Sequence, residues 1–199
     1  AFQRLCSSQN LYLIEDCAQA HGARFAGKPV GCFGAFAGWS FYPTKNLGTI
    51  GDGGALTTSD SDLAEKARQL RNYGQSIRYH HPLKGLNSRL DEIHAGILLA
   101  RLPSLDSWIE KRRQIAEAYH QGIKNPHVRL LPLPKDPASH VHHLFAITSP
   151  ARDRLAAHLQ ENGIETLIHY PIPIQEQKPM MNLPHDPAGL PAAKKHAAE

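Results

Sequence analysis

The chain has 199 residues, a formal net charge of +4 and an apolar fraction of 41%, enough for one domain or one and a half with a sizeable core. Its Lys and Arg residues are scattered, with no block of like charges, which argues against a nucleic-acid-binding arm but suits an anionic small molecule. No apolar run approaches about 18 residues, so no membrane span is predicted. Residues 1–10 lack the charged start and apolar stretch of a signal peptide.

The cysteines and histidines predict neither a disulfide framework nor a metal site. The three cysteines, Cys6, Cys17 and Cys32, are odd in number and lack the spacing of metal ligands. We interpret them as free thiols in a reducing compartment, which predicts a cytoplasmic protein, with a disulfide as the alternative. Histidine pairs at 80–81 and 142–143 raise the alternative of a metal site, but no carboxylate spacing supports one.

The first part of the chain has the pattern of an α/β layer. Residues 2–7 predict the end of a helix. Short apolar runs then predict strands at residues 11–14, 34–41 and 56–58, the first of them buried and parallel. Ser59 or Asp60 can cap a following helix. Ser88 and Asp91 resemble a capping pair before another helix, which Pro103 ends, and a longer helix is predicted over residues 105–123.

The second part predicts a smaller domain. A proline-rich segment at residues 126–138 indicates a linker. Beyond it, residues 142–148, 149–163 and 164–170 predict strand, helix and strand, with Ser149 as the N-cap and Gly163 just after the helix. We therefore predict part of a large domain over residues 1–125 and a small α+β domain over residues 126–199. Both ends lie inside predicted elements, so we expect that an N-terminal and a C-terminal piece are missing.

Lys45 stands between an apolar, strand-like run and a glycine-rich loop, in the stretch GWSFYPTKNLGTIGDGGALTTSD from Gly38 to Asp60. A lysine amine can form a Schiff base with an aldehyde cofactor or a carbonyl substrate. Most isolated loop lysines are merely solvated, but the preceding apolar residues indicate a backbone that leaves a buried strand. The glycines would allow a close backbone approach to a ligand. A nucleoside triphosphate loop is excluded, because its lysine follows the glycines.

Asp16 ends the run LIED, at the carboxyl end of a predicted parallel strand, which is where α/β sheets bind ligands. A buried carboxylate there needs a partner, and the protonated ring nitrogen of pyridoxal phosphate (PLP) is one that also makes the ring a better electron sink. The alternative for Asp16 is an ordinary helix cap. Gln19, three residues further on, can face the same way or lie on the surface.

The stretch IEDCAQAHGARFAGKPVGCFG, followed by WSFYPTKNLGTIGDGGALTTSD, closely resembles the fold-type I PLP enzymes of the DegT/StrS group, which are mostly sugar-nucleotide aminotransferases. The resemblance continues through GLNSRLDEIHAGIL, HHLFAIT and NGIETLIHYPIPIQEQ and so spans almost the whole chain. The pairing of EDxAQ with SFxxxKNLGxxGDGG at this separation is highly specific. The resemblance implies an α/β fold: part of a large PLP-binding domain plus a small α+β domain.

The resemblance also implies a role for each matching residue. Lys45 corresponds to the lysine that binds PLP covalently and moves the substrate proton, and Asp16 to the partner of the ring nitrogen. Gln19 corresponds to a hydrogen-bonding residue near the cofactor's phenolic oxygen. Ser40 corresponds to a hydroxyl donor to the cofactor phosphate. Asn87 corresponds to an asparagine that reaches the phosphate in the neighbouring subunit, which implies a homodimer with shared active sites.

Weaker similarities concern the substrate. The segments RNYG with Tyr79, GLNSRLDE and HYPIP resemble aminotransferases that act at C3 of dTDP-linked 3-oxo-6-deoxyhexoses, with L-glutamate as the amino donor. Tyr42 and His169 are candidates to face the sugar; the alternatives are a packed strand tyrosine and a structural histidine. Where the family usually has a glutamine and an alanine, this chain has His94 and Gly96, from which we expect effects on packing rather than lost chemistry.

Two other functions stay open: a PLP lyase or dehydratase on the same fold, and a homologue that senses the cofactor without catalysis. Lys45 argues against the dehydratase branch, in which a histidine replaces the lysine. The family's upstream phosphate-binding loop and its stacking aromatic have no counterpart in these residues. We therefore expect the 199 residues to be inactive by themselves.

Overall fold

The computed structural model describes residues 2–184, 186–187 and 189–199, and the chain divides into two compact units. Unit 1 comprises Ala1–Glu117 and Leu133–Leu144, and unit 2 comprises Ala118–Pro132 and Phe145–Glu199. The predicted division of the protein into a large and a small domain at residue 126 stays a prediction.

Unit 1 mixes helices and strands, which confirms the predicted α/β class. Its helices are α1 (Phe2–Ser8), α2 (Ser61–Arg71), α3 (Glu92–Arg101) and most of α4 (Leu105–Gly122). Its strands are β1 (Ile14–Asp16), β2 (Arg24–Phe25), β3 (Lys28–Pro29), β4 (Phe36–Ser40) and β5 (Gly54–Thr57). Short 3-10 turns lie at Leu102–Ser104 and Pro137–Ser139.

The central sheet of unit 1 has the strand order β1-β4-β5. β1 and β4 run parallel, with Asp16 opposite Gly38. β4 and β5 run antiparallel, with Ser40 opposite Gly54. Because the carboxyl ends of parallel strands meet at one edge of a sheet, Asp16 and Ser40 lie at the same end of the central sheet. β2 and β3 form a separate antiparallel pair.

The predicted strands of unit 1 exist with shifted bounds, but the prediction of a buried first strand is wrong. β4 lies inside residues 34–41, and β5 overlaps residues 56–58. β1 shares only Ile14 with residues 11–14, and Ile14 is 67% exposed. Its side chain lines an open pocket of this unit, so no described residue covers it.

Helix ends in unit 1 follow the local chemistry of the sequence. Asp60 caps α2, as the sequence predicts. Its Oδ1 accepts hydrogen bonds from the backbone N–H groups of Asp62 and Leu63, at 2.9 and 3.0 Å. Asp91 is the N-cap residue of α3, but its side chain makes no capping hydrogen bond, so the predicted capping pair is wrong. Pro103 lies in the 3-10 turn that ends α3, as expected for a residue without a backbone N–H.

The core of unit 1 forms where α4 meets the loop after β1. Ile109 of α4 is 2% exposed and packs in a cluster with Ala23 and Val141. Gly22 has a φ of +83°, and a Cβ there would overlap the Ile109 side chain. A glycine is therefore required at this position both for its backbone conformation and for its lack of a side chain.

Unit 2 contains β6 (Arg129–Leu130), β7 (Ile147–Thr148), α5 (Arg152–Glu161) and α6 (Pro191–Ala198). It also contains 3-10 turns at Ile174–Glu176 and Lys178–Met180. β6 and β7 pair antiparallel. No helix in the described ranges of either unit is long and apolar enough to cross a membrane.

Two predictions for unit 2 are wrong and one is correct. Residues 164–170 form no strand and are all exposed, because no described strand supplies the hydrogen bonds that an extended segment needs. The N-cap of α5 is Ala151, and Ser149 lies two residues earlier, where its Oγ accepts a hydrogen bond from the Ala151 N–H at 3.2 Å. Gly163 follows α5 with a φ of +75°, as predicted for a helix C-terminus.

Candidate active site

An open pocket of about 1290 Å³ lies against the central sheet of unit 1. Its wall includes Asp16 at the end of β1, Ser40 at the end of β4 and Asn87 from the segment before α3. Asp52 of the glycine-rich loop also lines it. The structure thus brings an acid, a hydroxyl and an amide from three distant parts of unit 1 into one concavity. The resemblance implied that Asp16 and Ser40 share a site but that Asn87 serves the site of a neighbouring subunit, so the place of Asn87 in this pocket differs from that expectation, and the three roles stay predictions.

Asp16 presents its carboxylate to this pocket. Oδ1 accepts a hydrogen bond from the Ala18 N–H at 3.0 Å, which is a local turn bond and leaves Oδ2 able to accept from a ligand. The backbone beside it is fixed, because the Cys17 N–H donates to the Gly38 carbonyl at 2.8 Å. Asp16 is exposed, because the pocket that it lines is open. The prediction of a buried carboxylate is therefore wrong for this chain.

Ser40 and Lys45 are connected by a tight turn after β4. Ser40 Oγ accepts a hydrogen bond from the Tyr42 N–H at 3.3 Å, so its own proton can be donated to a ligand. The Lys45 N–H donates to the Tyr42 carbonyl at 2.9 Å, which closes the turn. Lys45 is half-buried. Among the described residues that line the pocket, Lys45, Tyr42 and Gln19 are absent.

The glycines after Lys45 approach the chain's own backbone. A Cβ on Gly48 would lie 2.6 Å from the Tyr42 carbonyl oxygen and 2.7 Å from that of Pro43, closer than such atoms pack. The Thr49 N–H donates to the backbone carbonyl of Phe41, the residue after β4, at 2.8 Å. The loop therefore closes back on the turn that carries the lysine and fixes the backbone on both sides of it.

Asn87 is held against the C-terminal end of α2. Asn87 and Asn72 form an antiparallel β-bridge. Arg71 Nε donates to the Ser88 carbonyl at 3.1 Å, and the Ser88 N–H donates to the Arg71 carbonyl at 2.9 Å. The side-chain oxygen of Asn87 accepts from Arg89 Nε at 2.9 Å. This orientation directs the amide NH₂ of Asn87 away from Arg89, where it can donate to an anionic ligand.

His21, which the sequence analysis missed, is a buried residue that packs against the end of β4. It is 3% exposed, and its ring packs against Trp39 and Phe41, with centroids 5.3 and 5.9 Å apart. Neither ring nitrogen makes a hydrogen bond of standard geometry with a described residue. The only signal in the sequence was its place, two residues after Gln19.

The surroundings of His21 keep its ring neutral. Burial, followed by the positive charges of His143 and Lys45, lowers the pKa of His21 to about 4. A weak contact with the Ser40 backbone acts in the opposite direction. Because the ring carries no charge near pH 7, it adds no positive charge beside Lys45.

Cys17, next to Asp16, is a buried free thiol. Burial, then the charges of Glu15, Asp16 and Cys32, raises its pKa to about 11. The thiol is therefore protonated near pH 7 and is a weak nucleophile. Within the described residues, no group of three His, Cys, Asp or Glu side chains is arranged to hold a metal ion.

The two candidates for substrate contact lie in different units. Tyr42, in unit 1, is 49% exposed, which goes against the alternative of a packed strand tyrosine. His169, in unit 2, is exposed and makes an edge-to-face contact with Tyr170, with ring centroids 5.2 Å apart.

Sequence comparison matches residues 1–199 to the DegT/DnrJ/EryC1/StrS aminotransferase family. The chain is 51% identical over 174 residues to the dTDP-3-amino-3,6-dideoxy-alpha-D-galactopyranose transaminase of Aneurinibacillus thermoaerophilus, covering 87% of this chain and 48% of that protein. It is 46% identical over 174 residues to the dTDP-3-amino-3,4,6-trideoxy-alpha-D-glucose transaminase of Streptomyces venezuelae, covering 87% and 46%. It is 45% identical over 176 residues to the UDP-N-acetyl-3-dehydro-alpha-D-glucosamine 3-aminotransferase of Acidithiobacillus ferrooxidans, covering 87% and 47%.

Among solved structures, the chain resembles S. venezuelae DesV in complex with a ketimine intermediate. The TM-score is 0.91 at 43% sequence identity, and the match covers 98% of this chain and 53% of DesV. The chain thus spans about half the length of the proteins it matches.

Proposed function

This chain belongs to the DegT/DnrJ/EryC1/StrS aminotransferase family, and on that premise we propose that the full-length protein is a PLP-dependent sugar-nucleotide aminotransferase. It moves an amino group from L-glutamate to a nucleotide-linked keto sugar and works as a cytoplasmic homodimer. The observation that carries the proposal is that Asp16 and Ser40, at the carboxyl ends of the parallel strands β1 and β4, line one pocket of unit 1.

The pocket residues fit the chemical groups of PLP. The cofactor has a basic ring nitrogen at one end and a phosphate at the other, and the pocket offers the carboxylate of Asp16 and the hydroxyl of Ser40. Asp16 would hold the ring nitrogen, and Ser40 the phosphate. Gln19 would bond near the phenolic oxygen, and Asn87 would donate to the phosphate bound in a neighbouring copy of the chain.

When bound, PLP supplies an electron-accepting ring next to the carbon at which the amino group is exchanged. The Asp16 carboxylate would pair with the ring nitrogen and hold a proton on it. The Lys45 amine would hold the cofactor, and as a general acid–base group it would remove the α-proton of glutamate and later return a proton to the substrate carbon. Ser40 fixes the phosphate end and thereby the orientation of the ring.

The dTDP-3-oxo-6-deoxyhexoses are the substrate class that the similarities favour. Two of the three relatives described above are named as transaminases of dTDP-linked 3-amino sugars, at 51% and 46% identity. The formal net charge of +4 suits the diphosphate of such a substrate. Tyr42 and His169 are the residues we propose to contact the sugar. The third relative acts, by its name, on a UDP-linked sugar, so the nucleotide is the point to be tested.

The test uses the purified full-length protein with PLP and L-glutamate. A dTDP-linked 3-keto-6-deoxyhexose, its 4-keto isomer and a UDP-linked 3-keto sugar serve as parallel amino acceptors, and the same sugars without the ketone serve as controls. We expect 2-oxoglutarate in amounts equal to a dTDP-sugar amine, with the nitrogen at C3 by NMR. Preference for the UDP-linked sugar or for C4 would overturn the substrate assignment. Failure to bind PLP, or binding without glutamate turnover, would overturn the enzyme assignment and favour a cofactor-sensing homologue.

A further inference from the structure

Glu15, the residue before Asp16 on β1, holds the loop that leads into β4. Its Oε2 accepts a hydrogen bond from the Gly31 N–H at 2.8 Å, and its Oε1 accepts from the N–H groups of Phe33 and Gly34 at 2.7 and 2.8 Å. These distances lie at the short end of the range for N–H···O bonds, as is usual for a carboxylate acceptor. One side chain thus binds three backbone groups that lie 16 to 19 residues away.

Glycines allow this loop to lie directly on the sheet. A Cβ on Gly34 would come within 2.5 Å of the Leu13 carbonyl oxygen, and one on Gly31 within 2.6 Å of the Trp39 ring. Gly31 also has a φ of +87°, which favours glycine. The loop is therefore seated against the strand that carries Asp16 and the strand that carries Ser40.

The seated loop determines where the pairing of β1 with β4 begins. The Ala35 N–H, one residue after the loop, donates to the Leu13 carbonyl at 2.8 Å. Pairing continues to Asp16 opposite Gly38. Successive side chains of a strand point to opposite faces, so a slip of one residue would move Ser40 to the other face of the sheet. Glu15 itself pairs with Ala37 and so lies on the face opposite to Asp16.

We propose that Glu15 is a positioning residue of the PLP site. Its carboxylate fixes the loop over residues 31–34 and thereby the register of β4 against β1, which holds Asp16 and Ser40 in the relative positions that the two ends of the cofactor require. This role rests on the proposed function, because it is exerted on the cofactor through Asp16 and Ser40.

The test is Glu15→Gln in the full-length protein, which keeps the size and one acceptor oxygen but places an NH₂ group against backbone N–H donors. We expect the dissociation constant for PLP to rise about tenfold or more, as for other residues that orient a binding group. In the reconstituted variant, the ¹⁵N resonance of the cofactor ring nitrogen should move towards that of an unprotonated pyridine. Amide hydrogen exchange over residues 31–34 should accelerate about tenfold or more.

The matched control is Ala116→Gly, which weakens buried packing in α4, where Ala116 is 1% exposed. It separates positioning from loss of stability, because both variants lower the thermal midpoint. If Glu15→Gln changes PLP affinity and the ¹⁵N resonance no more than Ala116→Gly does at equal loss of stability, the positioning role is overturned.

Exchange in the wild-type protein keeps the proposal testable even if the Glu15 variant does not fold. The amides of Gly31, Phe33 and Gly34 should be protected, and exchange as fast as in an unstructured peptide would overturn the role of Glu15. A wild-type protein that binds no PLP overturns the proposed function and the positioning role together. A wild-type protein that binds PLP, with a variant equal to the control, overturns the positioning role alone.

Discussion

The imidazole of His21 lies against the indole of Trp39, with ring centroids 5.3 Å apart and planes inclined by 52°. Trp39 directly precedes Ser40 on β4, and alternation along the strand puts their side chains on opposite faces. The buried imidazole therefore supports the strand from the core side, while Ser40 faces the pocket. A charge on this ring would be introduced into an apolar environment and beside Lys45, whose charge lowers the pKa of His21.

We predict that this histidine makes the protein less stable in mild acid. The pKa of His21 is lowered from 6.5 to about 4 in the folded protein, so between these values the unfolded chain binds more protons. The stabilisation is present above pH 6.5 and is lost as the pH falls towards 4. From pH 7 to pH 5 the loss from this group is about 2 kcal/mol. Urea denaturation of the full-length protein at both pH values measures it.

The control for this prediction is a second histidine. His21→Phe should remove most of the difference between pH 7 and pH 5, whereas the same change at the exposed His80 should leave it. Equal pH dependence in wild type and His21→Phe would show that other groups cause the acid sensitivity.

We predict that Lys45→Ala abolishes turnover and still permits PLP to bind. The variant keeps Asp16 and Ser40 for non-covalent binding but lacks the amine that binds the cofactor and moves the proton. Absorbance spectroscopy should show bound cofactor without the visible band of a lysine adduct, and the glutamate half-reaction should be absent. Lys66→Ala on the exposed side of α2 should behave as wild type. Near-normal transamination by Lys45→Ala would contradict the assignment.

We predict that Asp16→Asn lowers the rate of transamination by about 10²- to 10⁴-fold with the fold intact. A neutral amide accepts the same local bond from Ala18 but cannot keep a proton on the ring nitrogen. The rate at saturating glutamate measures the effect, and circular dichroism checks the fold. Asp62→Asn in the first turn of α2 is the surface control. An unchanged rate would show that Asp16 does not act on the ring nitrogen and serves only the local turn through its bond with Ala18.

Local chemistry explains why part of this structure could be predicted from the sequence. The cap at Asp60, the helix end at Pro103 and the left-handed glycine at 163 each depend on a few neighbouring residues. The positions of Asp16 and Ser40 at one end of the central sheet could be predicted because each residue ends a strand. The segment 164–170 could not, since a predicted strand forms only when a distant partner pairs with it.

The contacts that were not predicted depend on distant residues. Glu15 is one of two adjacent acids in the sequence, and only the fold shows that it binds a loop 16 to 19 residues away. His21 is buried by aromatic residues of β4 that lie beyond that loop. The glycines after Lys45 were expected to approach a ligand, but Gly48 approaches the chain itself, because the turn before it folds back.

Our last prediction compares two glycines in unit 1. A methyl group on Gly48 would lie 2.6 Å from the Tyr42 carbonyl oxygen, so Gly48→Ala must displace the turn that carries Lys45, at a cost of about 1–3 kcal/mol in stability. At Gly96, inside α3, a Cβ would meet no atom within 4 Å, so Gly96→Ala should stabilise by about 0.5–1 kcal/mol. Urea denaturation of both full-length variants measures the difference, and kcat with glutamate shows whether the lysine has moved. Equal stability of the two variants would mean that the loop yields to a side chain, and that its contact with the turn does not fix the position of Lys45.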